Sequence, residues 1–359
     1  MKRAHLVNFL AVKTDEDLAI RANLTMRENI YSSARKYERF APKFPIQAYK
    51  LLNAYQFKIK IIGRDDNHQI TFSREFESDS FGGLNIKIGG QEISRAEKLE
   101  IFEIGKSPGL EILLGNFIPI KITGEKKNLI ICDFDKTLVD TKYSTPEEIY
   151  KSLTSPIQNF PTVTESVEMA KGYINKEYHP FILSASPHFY EEAMRDWLYS
   201  NDIYSAGIFL KDYRKIFSLL EGDLTPKDLK VQGIYKLNHL LDIIHMTGIP
   251  DKLVLMGDNF ESDPIIYLTF NELLQGRTEP RELWNRLKNY EAFKLSTKQN
   301  SMFLNKIFQL SDIIRKLEKK TEVTIYIRKK AKEDELRVPK QFSYQIDRVN
   351  LYETPSPQK

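Results

Sequence analysis

Two carboxylates two residues apart, Asp133 and Asp135, close an apolar run that begins at Leu129 in NLIICDFDKTLVDT. In an extended segment, residues i and i+2 project to the same side, so both acids can face one pocket. Two bare carboxylates that close repel, and one would keep its proton unless a cation intervened. Mg²⁺ meets that need, being a hard octahedral ion held by one or two carboxylates, waters and substrate phosphate. A third acid follows an apolar run of its own in LVLMGDNFESD: Asp258, with Asp263 five residues on. Asp258 is placed to be a direct ligand, and Asp263 to orient Asp258 or a ligand water.

A carboxylate is also a competent nucleophile toward phosphorus, forming an aspartyl-phosphate that water then hydrolyses. The anionic substrate needs hydroxyls, a cation and backbone N–H groups around it. Ser184, which ends the run FIL, can donate to a phosphate oxygen. Ser186-Pro187 reads as a helix N-cap with proline at the first helical position, although Ser186 could also face the site. Lys236, ahead of the LVLM run, can supply the positive charge, a role that Lys230 or Lys211 could also take. Thr137 either supports the Asp133 loop or caps an ordinary helix. His188 and His239 read as surface or helix-packing residues, and Cys132 as core.

These residues need elements that bring them together. From Leu129 the chain alternates short apolar runs (LIIC, PFILSA, AGIFL, KLVLMG, VTIYI) with amphipathic stretches such as ESVEMAKGYINKE and IYKLNHLLDIIH. That grammar predicts a parallel sheet covered on both faces, with the site at the carboxyl ends of its strands. Asp133, Ser184 and Asp258 all hold that position. Upstream, YQFKIKIIG, QITFSREF and GGLNIKIGGQEI alternate in period two between turn signals, predicting a small β-rich domain over residues 47–123. Residues 1–46 carry strong helix formers and read as a helical segment. Residues 265–320 read as a helical insertion, with Phe303, Ile307, Leu310, Ile314 and Leu317 on one apolar face. The charge run from Arg315 to Arg337 reads as solvated surface. The phosphoryl chemistry falls within residues 124–340, and residues 341–359 read as a tail.

DFDKT, the strand-terminal Ser184, Lys236 and GDNFESD, in that order, resemble the four signatures of the haloacid dehalogenase superfamily. The resemblance implies a Rossmannoid α/β fold, with Asp133 as nucleophile and Mg²⁺ ligand. It implies that Asp135 is the general acid and base, its backbone carbonyl binding the metal, and that Thr137 supports the loop. Ser184 and Lys236 would hold the phosphoryl group, and Asp258 would complete the protein ligands. Within the superfamily, FILSASPHFYEEAMRDWL, GIFLKDY, YKLNHLLDIIHMTGIPDKLVLMGDNFESD and TIYIRK are similar to the catalytic domain of the actin-patch phosphatidate phosphatases, which also follows a small β-rich domain. Here Lys136 stands where an acid is usual, Ala185 where asparagine is usual, and a long insertion follows Pro264. These differences concern the choice of substrate rather than the chemistry.

Between the first two signatures only Thr141 to Pro161 remains for a cap, too little for a lid domain. An open site admits a large substrate, such as a lipid phosphate at a membrane surface. The competing readings are the same chemistry on a protein or polynucleotide phosphate, and a non-catalytic scaffold that binds a membrane or a partner. The net charge of +4 over 359 residues, with no strip of interleaved aromatic and basic residues, argues against nucleic acid. A single cysteine excludes an intrachain disulfide and fits a reducing, cytoplasmic setting. No run approaches the length of a membrane-spanning helix.

Overall fold

The structure, a computed structural model, describes residues 2–28, 40, 56–105, 107–124, 126–141, 155–204, 206–211, 233–260, 262–290, 293, 297–316, 320–330, 336, 338 and 340–354. The chain divides into two compact units, one built mainly on Met1–Glu125 and the other on Lys126–Ser186, Met194–Lys211 and Asp223–Lys359.

The first unit is β-rich. Strands β1 (Lys2–Lys13), β2 (Asp17–Glu28), β5 (Gly83–Gly89) and β8 (Ile120–Lys121) form one sheet in the order β5-β2-β1-β8. Strands β3 (Lys58–Arg64), β4 (Ile70–Glu77), β6 (Lys98–Ile104) and β7 (Glu111–Phe117) form a second in the order β4-β3-β6-β7. One core joins them, with Leu18, Ile20, Ala22 and Leu24 of β2 alongside Ile59 and Ile61 of β3 and Leu99 and Ile101 of β6. This corrects the reading of residues 1–46 as helical. Leu18, Ile20, Ala22 and Leu24, every second residue of β2, enter this core, and that period decides the conformation. The helix-favouring Ala19 and Arg21 between them weigh less than burial of this strand face. Of the rest of that segment, only residue 40 is among those described.

The second unit is mixed α/β. Its strands β9 (Asn128–Asp133), β10 (His179–Pro187), β11 (Gly207–Lys211), β12 (Lys252–Asp258), β13 (Glu322–Lys330) and β14 (Val349–Thr354) form a six-stranded sheet in the order β11-β10-β9-β12-β13-β14. The pairs β10/β9, β9/β12, β12/β13 and β13/β14 are parallel. Leu129, Ile130 and Ile131 on β9, and Leu253 and Leu255 on β12, are fully buried, so both faces are covered, as their unbroken apolar runs require. Each such side chain contributes about 1.5–3 kcal/mol through burial.

Helix α1 (Thr164–Ile174) packs on β9, and α2 (Glu191–Ser200) follows β10. Helix α3 (Gly233–Thr247) precedes β12, and α4 (Asp263–Leu274) packs on both β12 and β13. The insertion is α4 together with α5 (Pro280–Leu287) and α6 (Thr297–Lys316). Phe303, Ile307 and Leu310 are buried on α6, as their spacing implies.

The supposed C-terminal tail is also corrected. A 3-10 segment, Lys340–Arg348, leads into β14, which supplies the outer strand of the sheet; only residues 355–359 of that stretch lie outside the described set. The alternation of Tyr352 with exposed neighbours is too short to separate an edge strand from a tail by sequence. Of the proposed cap segment, residues 142–154 lie outside the described residues, so its minimal size stays an expectation.

Strand order fixes where a ligand can enter. From β9 the chain steps outward through β10 to β11, then returns across the sheet to β12 and continues through β13 to β14. The reversal lies between β9 and β12. Open α/β sheets bind ligands at such a switch point, beyond the carboxyl ends of the strands. Asp133 ends β9 and Asp258 ends β12.

Candidate active site

Ligand atoms of Asp133, Asp258 and Asp263 lie within 4.8 Å of one another, and all three residues are buried. Together they can hold a metal ion. Lys236, in the first turn of α3 and fully buried, lies beside them, its Nζ 2.8 Å from Asp133 Oδ1 and 2.6 Å from Asp263 Oδ1. Asp263 also accepts the Asp258 N–H through Oδ2 at 3.2 Å. It thereby braces the end of β12. Asp258 Oδ1 accepts the N–H of Phe260 at 2.6 Å, which sets the rotation of its carboxylate.

The brace depends on Gly257. A β-carbon there would come within 2.5 Å of Asp263 Oδ2, 2.7 Å of Tyr267 Cε2 and 2.8 Å of Asp263 Cβ. Asp263 and Tyr267 are fully buried and have no room to retreat. Gly257→Ala is therefore expected to destabilise the domain by about 1–3 kcal/mol, as overpacking does. The measurement is the denaturant midpoint at unchanged slope; a midpoint equal to wild type would show that the pocket has slack.

Asp135 belongs to a different part of the site. Its Oδ2 accepts the hydroxyls of Ser184 at 2.7 Å and Ser186 at 2.9 Å, and its Oδ1 accepts that of Thr141 at 3.1 Å. These three hydroxyls orient its carboxylate. Ser184 is also tied down, because its Oγ accepts the Ser186 N–H at 2.9 Å and its carbonyl accepts the Tyr235 hydroxyl at 3.1 Å. Thr137 Oγ1 donates to Asp133 Oδ2 at 3.2 Å.

Between the two acids, Phe134 turns the opposite way, as strand alternation demands, and meets the edge of the Trp197 ring at 5.1 Å. Beneath the site Cys132 is buried against Met256, and burial pushes its thiol well above the usual range, so it serves as core. His239 packs against Tyr235 and Phe209 and pairs with Asp242, a helix-packing role.

Ser186 does not cap a helix. Strand β10 continues through Pro187, a 3-10 turn (His188–Tyr190) follows, and α2 starts only at Glu191. The Ser-Pro pair carried the cap signal, but the Ser186 hydroxyl is spent on Asp135. Thr141 and Ser186 were not identified as partners of Asp135, since hydroxyl direction is set by loop geometry that spacing does not reveal. Lys211 is buried at the end of β11, while Lys230 lies outside the described residues.

Comparison with known families decides the class of this domain. Residues 128–279 match the family model described as phosphatidate phosphatase APP1, catalytic domain. This segment is a phosphatase catalytic domain. It contains Asp133, Asp135, Thr137, Ser184, Lys236, Asp258 and Asp263. No curated protein sequence matches the chain.

Among solved structures, a calcium-binding mutant of Bacteroides uniformis β-glucuronidase 2 aligns at 12% identity, covering 90% of this chain and 33% of that one, with a TM-score of 0.24. A Lactobacillus rhamnosus β-glucuronidase aligns at 10% identity, covering 94% and 56%, with a TM-score of 0.27. The chain thus spans between a third and just over half of the length of these enzymes, and likeness at this level does not establish a shared fold.

Proposed function

We propose that the chain is a Mg²⁺-dependent phosphomonoester hydrolase with a haloacid-dehalogenase-like domain, converting phosphatidate to diacylglycerol and phosphate through an aspartyl-phosphate on Asp133. The observation that carries this reading is the buried cluster of Asp133, Asp258 and Asp263 around Lys236, inside a segment matching a phosphatidate phosphatase family model. The donor set suits a hard divalent cation, being carboxylate oxygen throughout. Three ionised carboxylates against one ammonium also leave two negative charges, the complement of such an ion. Asp133 and Asp258 would hold the metal, with Asp263 bracing Asp258. When bound, Mg²⁺ supplies charge neutralisation for the phosphoryl oxygens.

Asp133 attacks phosphorus and the bond to the glycerol oxygen breaks, Asp135 giving its proton to the departing alkoxide. Asp135, now a carboxylate, takes a proton from water as that water attacks the aspartyl-phosphate. The bond between phosphorus and Asp133 breaks, and phosphate leaves. Hydroxyls suit a group that changes protonation state, because each can donate or accept. Ser184 turns from Asp135 to a phosphoryl oxygen when substrate enters, while Ser186 and Thr141 keep Asp135 aimed. Lys236 meets the same phosphoryl group from the side of Asp133.

No helix among the described residues is long and apolar enough to cross a membrane. We place the enzyme on the cytoplasmic face of a membrane, reaching its lipid from the aqueous side. The test is phosphate release by wild type, with Mg²⁺ and with chelator, from phosphatidate vesicles, a soluble aryl phosphate, a phosphopeptide and a 5′-phosphorylated oligonucleotide. Mg²⁺-dependent release from the vesicles is expected. Release from the aryl phosphate alone would overturn the lipid assignment, and release from the peptide or oligonucleotide would redirect it. No turnover on any of them would leave a binding scaffold.

A further inference from the structure

We infer that Arg328 is a positioning residue that locks the Asp133–Asp135 loop to the strand end carrying Asp258. Arg328 sits near the carboxyl end of β13, within the stretch whose charge suggests a solvated surface, yet it is only 3% exposed. A guanidinium is buried only where it has defined partners. Its Nη1 donates to the main-chain carbonyl of Lys136 and lies 3.3 Å from Asp140 Oδ1.

The Lys136 carbonyl is a sensitive point to hold. Lys136 has a φ of 61°, in the left-handed region where a residue with a side chain is strained. The turn is closed by the Lys136 N–H to the Val139 carbonyl at 2.7 Å and the Leu138 N–H to the Phe134 carbonyl at 2.9 Å. Arg328 takes the carbonyl of this strained residue, one position beyond Asp135.

The main chain of Arg328 acts on the other half of the site. Arg328 stands in register with Asp258, and its carbonyl accepts the Asn259 N–H at 2.9 Å. One residue therefore holds the loop of Asp133 and Asp135 through its side chain and the loop of Asp258 through its backbone. Those loops follow neighbouring strands at the strand-order reversal, where, among the described residues, the pairing of β9 with β12 ends at Met256 and Cys132. The distance between the nucleophile and Asp258 depends on such a strut.

This inference rests on the phosphatase reading above, and the experiment separates the two. Arg328→Ala, Arg328→Lys and Asp140→Asn are compared with wild type for kcat and KM on phosphatidate vesicles, for half-saturating Mg²⁺, and for the rise in melting midpoint that Mg²⁺ produces. For Arg328→Ala, kcat is expected to fall about 10–100-fold, as removal of groups supporting metal ligands does, with KM little changed. The Mg²⁺-induced rise in midpoint shrinks, and added guanidinium restores part of kcat. Arg328→Lys keeps the charge without the planar fork and recovers only partly; Asp140→Asn keeps the Lys136 contact and loses less.

Arg328→Ala within about twofold of wild type in kcat and in its Mg²⁺ response, against the loss stated, overturns the inference. So does a loss of stability with an intact Mg²⁺ response and no guanidinium rescue, which would mark a structural residue only. If Arg328→Ala does not fold, wild-type kcat and Mg²⁺ response in both other variants overturn it equally. Wild type without Mg²⁺-dependent hydrolysis would refute the phosphatase reading instead, leaving the melting comparison to judge Arg328.

Discussion

Asp133→Asn is expected to lower phosphatidate hydrolysis by at least about 10⁴-fold, the scale at which loss of a covalent nucleophile is felt, without unfolding the protein. The substitution preserves shape and removes one charge. Asp133 is attracted to Lys236 at 2.8 Å and repelled by Asp258 and Asp263 within 4.8 Å. Lys236 keeps its pairing with Asp263 at 2.6 Å in the variant, so no buried cation is stranded. The melting midpoint without divalent cation should therefore hold or rise. The midpoint gain on adding Mg²⁺ should shrink, because one of two ligand carboxylates is lost. Rapid quenching should trap a hydroxylamine-labile phosphoenzyme from wild type and none from the variant. Turnover near wild type would remove Asp133 as nucleophile.

Lys236→Ala is expected to damage both stability and turnover. Its ammonium lies between Asp133 and Asp263, and all three side chains are essentially shut off from water. Breaking a buried ion pair by removing one partner costs about 3–5 kcal/mol, because the remaining charge is left uncompensated. Here two carboxylates are left. Turnover should fall about 10²–10³-fold, the usual loss when one preorganised group facing developing charge is removed. Lys236→Met restores the volume of the stem without the charge and should recover little of either. Urea denaturation with and without Mg²⁺ reads the electrostatic part: the ion should return more stability to the variant than to wild type, since it replaces missing positive charge. Equal stability of Lys236→Ala and wild type would show that the cluster is held by other means.

The strand-end acids were legible in the sequence because their setting is one-dimensional. A continuous apolar run is a buried strand, and a charge at its end must sit at the sheet's rim; Asp133 and Asp258 follow from that alone. Their meeting also required β9 and β12 to be neighbours, which the alternating strand-helix grammar allowed but did not dictate. Arg328 obeys the same strand-end logic on β13, but it was hidden by the lysines beside it, whose charge made the whole stretch resemble surface.

The misread N-terminus has a different cause. Leu18, Ile20, Ala22 and Leu24 are two apart, yet Ala19 and Arg21 between them favour helix, and only tertiary burial decides which signal prevails. Ser184 and Ser186 show a third limit. Residue type announces a hydroxyl near phosphate chemistry, but the choice between capping a helix and gripping Asp135 depends on how far β10 runs before it bends.

The outermost strand has a consequence for biosynthesis. β14 covers β13 and stands in register with it from Ile325 to Lys330, Tyr352 opposite Arg328. Until β14 has emerged from the ribosome, β13 presents a bare row of amide and carbonyl groups, the kind of edge that recruits stray strands. The nascent chain is thus vulnerable to clumping in the interval between the emergence of β13 and that of β14, and removing β14 would make that interval permanent.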